Sequence, residues 1–298
     1  MNIRTQFYFQ EISSTNMYAR QWVMNRLAEI SADTFRKECL PALIVAKHQT
    51  EGRGRNGKRW ESSPGCLMFS IIFSKETVDI PLRKTPLLAL AASMAVRDTT
   101  LDIFPVLNAS ESESPYASGK IKIHWPNDVC FIFQKDAFTT PDTASAQNFH
   151  EKKMCGILLD RLSSEIYILG IGLNIHNSFQ NAPLVIREKC FSLLDIAAWL
   201  DSTQKNYVSV PTEVRRIQNT SQKVILDMLL SHLQQRFEKL GTPEDTLVLE
   251  ADSLCVQRGK IISLMTPTGA VKGLCTGLDP DGAILIHGKP YHTGWSVN

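Results

Sequence analysis

Long apolar runs are missing from this sequence. No stretch approaches the ~20 consecutive apolar residues that a membrane-spanning helix requires. The N-terminal MNIRTQFYFQEISSTN has no apolar core and no Arg/Ser-rich presequence. A membrane protein is therefore not expected, and a cytoplasmic soluble one is. Cysteine occurs seven times but never as C-x-x-C, so neither a zinc site nor a disulfide framework is indicated. Excess charge is also scarce: the net charge is +2 over 298 residues. A protein that works on DNA or RNA would show a wider basic face. What remains is ordinary globular composition, 43% hydrophobic and 21% charged, with length enough for two domains.

Against that even background one loop stands out, HQTEGRGRNGKRWESSPG at 48–65. Between Gly52 and Arg59 it holds three glycines and four cations in eight residues, with no acid among them. Glycine loses entropy when ordered, and clustered like charges repel unless an anion sits among them. Such a loop is suited to closing over a phosphate-bearing ligand.

The surrounding pattern is α+β. Residues 14–30 predict a helix, with Ser13, Ser14 and Thr15 as caps and Met17, Trp22, Val23 and Leu27 recurring at roughly helical spacing. Leu43–Ala46 reads as a short strand, and CLMFSIIF (66–73) as a central strand apolar on both faces. Pro86 opens a long apolar helix from its favoured first-turn position. IKIHWPNDVCF alternates as a strand and then turns, with Asn127 and Asp128 at the tip. MCGILLD (154–160) and EIYILGIGLNI (165–175) form a further strand pair. A helix from Gln222 carries Ile225, Leu229, Leu233 and Phe237 and stops at Gly241. After residue 246, short strands separated by PTG and DPDG turns predict a small β-barrel. Two polar stretches, 108–119 and 134–152, read as mobile insertions.

Five segments, taken in order, carry a resemblance: SSTN, QTEGRGRNGKRW with SSPG, HWPNDV, KMCGILLD and GIGLN. Together they resemble the motif set of the biotin–protein ligases (holocarboxylase synthetases), across most of residues 10–180. The tail is similar to that family's small C-terminal barrel. The QTEG form leans toward eukaryotic members, a single catalytic unit without a DNA-binding domain, because Ser14 lies too near the N-terminus for one. The resemblance implies a mixed β-sheet with flanking helices over 1–245, a class II synthetase-like biotin/lipoate ligase catalytic domain. An SH3-like β-barrel would occupy 246–298.

The implied chemistry has two steps. The biotin carboxylate attacks the α-phosphorus of ATP, giving biotinoyl-5′-AMP and pyrophosphate. A lysine on the biotin-accepting domain of a carboxylase, such as acetyl-CoA carboxylase, then attacks the mixed anhydride. Both steps put negative charge on oxygens, which fixed cations and N–H donors stabilise. By resemblance, Ser14, Thr15, Asn16 and Gln49 take the biotin end, with Thr15, Ser14 and Gln49 on the ureido ring. Gly52, Arg53 and Gly156 also meet biotin. Lys153 bridges the biotin carboxylate and the α-phosphate. Arg55 holds the intermediate's phosphate, Lys58 the ATP phosphates, and Trp60 and Asn174 the adenine side. Asn127 and Asp128 lie beside the reacting carboxylate and Mg²⁺, with Asn127 as the metal contact and Asp128 as partner of Lys153.

Other readings of the same residues exist. Ser14-Thr15 can be simple helix caps, Asn127-Asp128 ordinary turn chemistry, and Lys152 adjoins Lys153. His124 stands where the family usually has lysine, and 24 residues separate Asp128 from Lys153. The rivals are a lipoate–protein ligase of the same fold and an RNA-binding protein using the Gly/Arg loop. The second would want aromatic platforms, and none is evident. A monomer or weak homodimer with no DNA partner is expected.

Overall fold

The computed structural model describes residues 1–78, 84–108, 119–134, 149–203 and 212–296. The chain begins with strand β1 (Thr5–Ile12), then helices α1 (Thr15–Glu29) and α2 (Ala32–Cys39), strand β2 (Ala42–Gln49) and strand β3 (Cys66–Ser74). Helix α3 (Pro86–Ile103) leads to β4 (Lys120–His124), β5 (Asp128–Gln134), β6 (Phe149–Arg161) and β7 (Ile166–Asn174). These strands form one sheet in the order β1-β2-β3-β7-β6-β5-β4. Only the β1–β2 pair is parallel, and α1–α2 is the crossover that joins it.

All nine residues of β3 are buried, as its two-sided apolar run requires. One face of the sheet carries a small core under α1 and α2, built on Ala19, Val23, Phe35, Ile44 and Ile168. The other face carries the main core. There α3 lies buried along most of its length, and its hydroxyls Ser93, Thr99 and Thr100 donate back to the carbonyls of Ala89, Ala95 and Val96. Short helices α4 (Leu184–Lys189), α5 (Leu193–Thr203) and α6 (Thr212–Asn219) follow β7. Helix α7 (Gln222–Lys239) buries Ile225, Leu229, Leu233 and Phe237, and Gly241 (φ +76°) ends it in the left-handed region.

Several expectations need correction. Residues 247–254 form a helix, α8 (Leu247–Leu254), whose buried Leu247 and Ala251 pack on the main core, so the strands begin only at Ile261. From there β8 (Ile261–Thr266), β9 (Gly269–Leu278), β10 (Ile284–Ile286), β11 (Lys289–Tyr291) and β12 (Trp295–Ser296) make a small antiparallel sheet in the order β11-β10-β9-β8-β12. In α1 the buried face is Thr15, Asn16, Ala19 and Val23, while Leu27 is exposed, because the helix docks by its N-terminal half. Ser14 is the N-cap by backbone, but its side chain makes no capping bond. Residues 149–152, read as insertion, belong to β6. The remainder of both polar stretches, 109–118 and 135–148, lies outside the described residues.

Candidate active site

The cationic loop, the start of α1, the β4–β5 turn and the middle of β6 and β7 surround a cavity of about 520 Å³. That falls in the ~300–1,000 Å³ range of small-molecule sites.

At one end the polar groups are buried and mutually tied. Ser14, Thr15, Asn16 and Gln49 are each less than a tenth exposed. Gln49 Oε1 accepts from the Thr15 N–H at 2.7 Å and from the Thr15 hydroxyl at 3.2 Å. The Gln49 N–H in turn donates to the Ser62 hydroxyl at 2.8 Å. Ser70, from the middle of β3, places its hydroxyl 2.6 Å from Asn16 Oδ1 and 2.7 Å from Thr15 Oγ1. Asn16 Nδ2 donates toward Leu158 O and Asp160 Oδ2 at 3.5 and 3.3 Å. The Asn16 amide is thus folded down onto the sheet over Gly170, where a Cβ would lie 2.1 Å from Asn16 Oδ1. Ser62, which lies in the SSPG segment, Ser70 and Asp160 are not among the site residues the sequence predicts. A lone hydroxyl inside CLMFSIIF was the one signal for Ser70.

The loop is a tight hairpin with its own bonds. Gly54 N–H donates to Lys58 O at 2.7 Å, Trp60 N–H to Gly52 O at 2.9 Å, and Arg53 pairs with Arg59. Asn56 and Gly57 sit at φ +56° and +72°, a turn for which glycine and asparagine are suited. Arg53, Arg55, Lys58 and Arg59 all line the cavity. Gly52 is absent from that lining: it is buried with Trp60 O only 2.8 Å from where its Cβ would be, so it serves close packing at the hairpin's base.

Opposite the loop lies the β4–β5 turn. Asn127 clamps β6 from both directions: its Nδ2 donates to Ile157 O at 2.7 Å, and its carbonyl accepts from the Ile157 N–H at 2.9 Å. Its Oδ1 accepts from Arg55 Nη1 at 3.3 Å. Asp128 opens β5, and its carboxylate meets Lys153 Nζ at 2.7 Å. Burial would depress the Lys153 ammonium, but the charge of Asp128 and its hydrogen bond outweigh burial and hold the pKa above its ordinary value. Burial lowers that of Arg55, against the pull of Asp128. Lys152 turns away and donates to Glu188 O, as neighbouring side chains on a strand do.

Trp60 lies across the floor, where a Cβ on Gly156 or Gly172 would sit 2.9 or 2.6 Å from its indole. Lys153 Nζ stands 5.6 Å from the ring centroid, and the indole N–H is buried without a hydrogen-bond partner. At the rim, His124 Nδ1 pairs with Glu151 at 2.6 Å. Burial would raise the Glu151 carboxyl, and the bond from His124 holds it below the usual range. Glu151 lies in a polar stretch that the sequence marks as insertion, yet it is part of β6 and faces His124. Asn174 is not brought to the cavity: it is 2% exposed, its Nδ2 donates to Phe191 O, and its Oδ1 accepts from Asn177.

The residues here do not make a magnesium site on their own. The Asn127 side-chain Oδ1 is engaged by Arg55, the Asp128 carboxylate by Lys153, and among the described residues no cluster of three metal-ligating side chains exists.

A mixed sheet carrying a polar-ended pocket, a cationic hairpin over it and a small antiparallel C-terminal sheet define the class: an α+β protein with a site for a small anionic ligand. Residues 29–175 match the model of the biotin/lipoate A/B protein ligase family. The chain is 24% identical to a biotin–[acetyl-CoA-carboxylase] ligase of Mycobacterium tuberculosis, over 82% of this chain and 72% of that one. It is 24% identical to the bifunctional ligase/repressor BirA of Bacillus subtilis, over 94% and 68%. Among solved structures, the biotin protein ligase of Aquifex aeolicus in complex with biotin and ATP superposes with a TM-score of 0.65, at 22% identity, covering 99% and 98% of the two chains. The Leishmania major ligase with biotinyl-5-AMP gives 0.53 at 18% identity, covering 99% and 98%. These two share the fold. Residues 29–175 thus carry the biotin/lipoate A/B protein ligase family's pattern, and biotin ligases are what the chain as a whole is similar to.

Proposed function

We propose that this protein is an ATP-dependent biotin–protein ligase, acting in the cytoplasm on the lysine of a carboxylase's biotin-accepting domain. The observation that carries the reading is the Lys153–Asp128 pair, 2.7 Å apart, facing the loop arginines across a cavity whose far end is a buried polar network. A bicyclic urea offers two N–H donors and one carbonyl acceptor, and the Thr15–Gln49 network is neutral and polar to match. The carboxylate at the other end of the ligand then reaches Lys153.

There the ammonium draws the carboxylate and the α-phosphate of ATP together. A carboxylate oxygen bonds to the α-phosphorus, pyrophosphate leaves with the electrons of the broken P–O bond, and biotinoyl-AMP results. Lys153 and Arg55 offset the charge that builds on the phosphoryl oxygens. In the second step the neutral amine of the acceptor lysine bonds to the acyl carbon. AMP leaves, and the amine's proton goes to solvent. Magnesium, which the nucleotide's own phosphates would hold rather than this chain's side chains, would supply further charge neutralisation. The relatives' printed activities, biotin–[acetyl-CoA-carboxylase] ligase among them, support the reading.

The test is to incubate the protein with ATP and either biotin or lipoate, then identify the acyl-adenylate by mass spectrometry. Biotinoyl-AMP is expected. Lipoyl-AMP alone, or no adenylate, would sink the proposal.

A further inference from the structure

The β4–β5 turn that presents Asn127 and Asp128 is held by the other end of the chain. Residues Trp125–Asn127 lie outside the strand ladders, because β4 ends at His124 and β5 begins at Asp128. Their backbone groups therefore need partners from elsewhere. Trp125 is 1% exposed, and both of its main-chain groups go to one side chain: its N–H donates to Gln257 Oε1 at 2.9 Å, and its carbonyl accepts from Gln257 Nε2 at 2.8 Å. An amide offers one acceptor and two donors, so a single glutamine here does the work of a neighbouring strand. The segment leading to it already runs beside β4, with Val256 N–H donating to Ile123 O at 2.9 Å. Gln257 continues that pairing by one residue, where the ladder would otherwise stop.

A second contact holds the same residue. The Trp125 indole N–H donates to Gly282 O at 3.0 Å. Gly282 (φ +80°) closes a turn fastened on Asp279, and a Cβ there would meet Leu87 and Leu90 of α3 at 2.9 and 3.1 Å. The turn is wedged between α3 and Trp125, so its carbonyl has little room to move. Two residues beyond this double clamp Asn127 grips β6, and at the third Asp128 meets Lys153.

We propose that Gln257 is a positioning residue for the adenylation step: through the main chain of Trp125 it sets where Asn127 and Asp128 stand relative to Lys153 and the cavity. The assignment rests on the ligase reading above. It makes the linker to the C-terminal sheet part of the active-site scaffold, although Gln257 is absent from the cavity lining. Losing the amide leaves two buried main-chain groups unpaired, and the turn shifts to satisfy them. The polar end of the cavity, at Thr15 and Gln49, is built from other elements and does not move.

The experiment compares wild type with Gln257→Met, which keeps the side-chain length and removes the amide. Biotin affinity is measured without ATP, the adenylation rate in a single turnover at saturating biotin and ATP, and transfer from preformed biotinoyl-AMP to an acceptor domain. The adenylation rate is expected to fall tenfold or more, with biotin affinity within twofold and transfer reduced less than adenylation. An unchanged adenylation rate overturns the assignment, as does a parallel loss of rate and biotin affinity, the mark of general loosening. Should Gln257→Met fail to fold, Gln257→Asn, one methylene shorter, carries the same comparison, with a partial loss confined to adenylation. A wild type that makes no biotinoyl-AMP overturns the ligase reading itself, and the Gln257 role with it. A wild type that adenylates beside an equally fast variant removes Gln257 alone.

Discussion

Lys153 is surrounded by groups that favour its charge, and its protonated form carries the proposed chemistry. Lys153→Ala is expected to keep biotin binding and to slow adenylation about 10²–10³-fold, the usual scale for one preorganised charge. Single-turnover formation of biotinoyl-AMP measures it. Asp128→Asn separates charge from position. The Lys153 pKa lies above its ordinary 10.5 because Asp128 outweighs burial. Without the carboxylate burial acts with less opposition, so the pKa falls and the ammonium deprotonates at lower pH. The alkaline limb of the adenylation profile should therefore move toward neutrality; a limb that stays put would clear Asp128 of this role. Arg55, half-buried and bonded to Asn127 rather than to an acid, is placed to take a phosphate. Arg55→Gly should still form the adenylate but release it ~10–100-fold faster, as loss of a charge-assisted hydrogen bond of roughly 1.5–3 kcal/mol implies. Free adenylate acylates neutral amines. An unrelated lysine-rich protein in the mixture should become biotinylated, increasingly so at higher pH, and a clean bystander would count against the assignment.

At the scale of elements, helix α1 meets the sheet where there is no side chain to meet. Gly170 lies beneath Asn16, which hydrogen bonds to Ser70, Leu158 and Asp160 hold in place, so the amide cannot swing aside cheaply. Gly170→Ala is expected to cost about 1–3 kcal/mol by overpacking. Asn16→Ala in the same chain should recover part of that, and urea unfolding of the single and double variants gives the coupling. Much of this architecture could be read from the residues. The two-sided apolar run of β3, Pro86 at the head of α3 and the i, i+4 stripe of α7 are local patterns with local causes. Where reading failed, the cause was not local. Helix α8 stands where the turn-rich C-terminal pattern predicts strands, since only its docking on the main core shows that Leu247 and Ala251 share a buried face. Asn174 follows GIGL as the motif requires, yet its amide is consumed by Phe191 and Asn177, contacts that no spacing reveals. Gln257 gave no signal at all, because its partner is 132 positions away.

The whole molecule is lopsided. On one side of the sheet stands the large core under α3, α5, α7 and α8, which also takes in residues of the C-terminal sheet. On the other side, among the described residues, a smaller core of nine buried residues, with partly buried side chains such as Phe7, Tyr18 and Trp22 against it, holds α1 and α2 down. Free energies of local opening follow the apolar contacts that must be broken. Amide hydrogens of α1 should therefore exchange with solvent well before those of β3 or α3. The same thin layer carries Ser14, Thr15 and Asn16, so a ligand seated against them is lost whenever it lifts. At a ligand concentration 100 times its dissociation constant, linkage adds about 2.7 kcal/mol to that opening, a slowing of exchange of about a hundredfold. Saturating biotin should slow exchange across α1 by that order while leaving α3 unchanged, in deuterium uptake followed peptide by peptide. Uniform protection of both helices would mean that the layer never opens alone. Otherwise the deuterium content of one fifteen-residue helix becomes a label-free gauge of pocket occupancy, with the far side of the sheet as its internal clock.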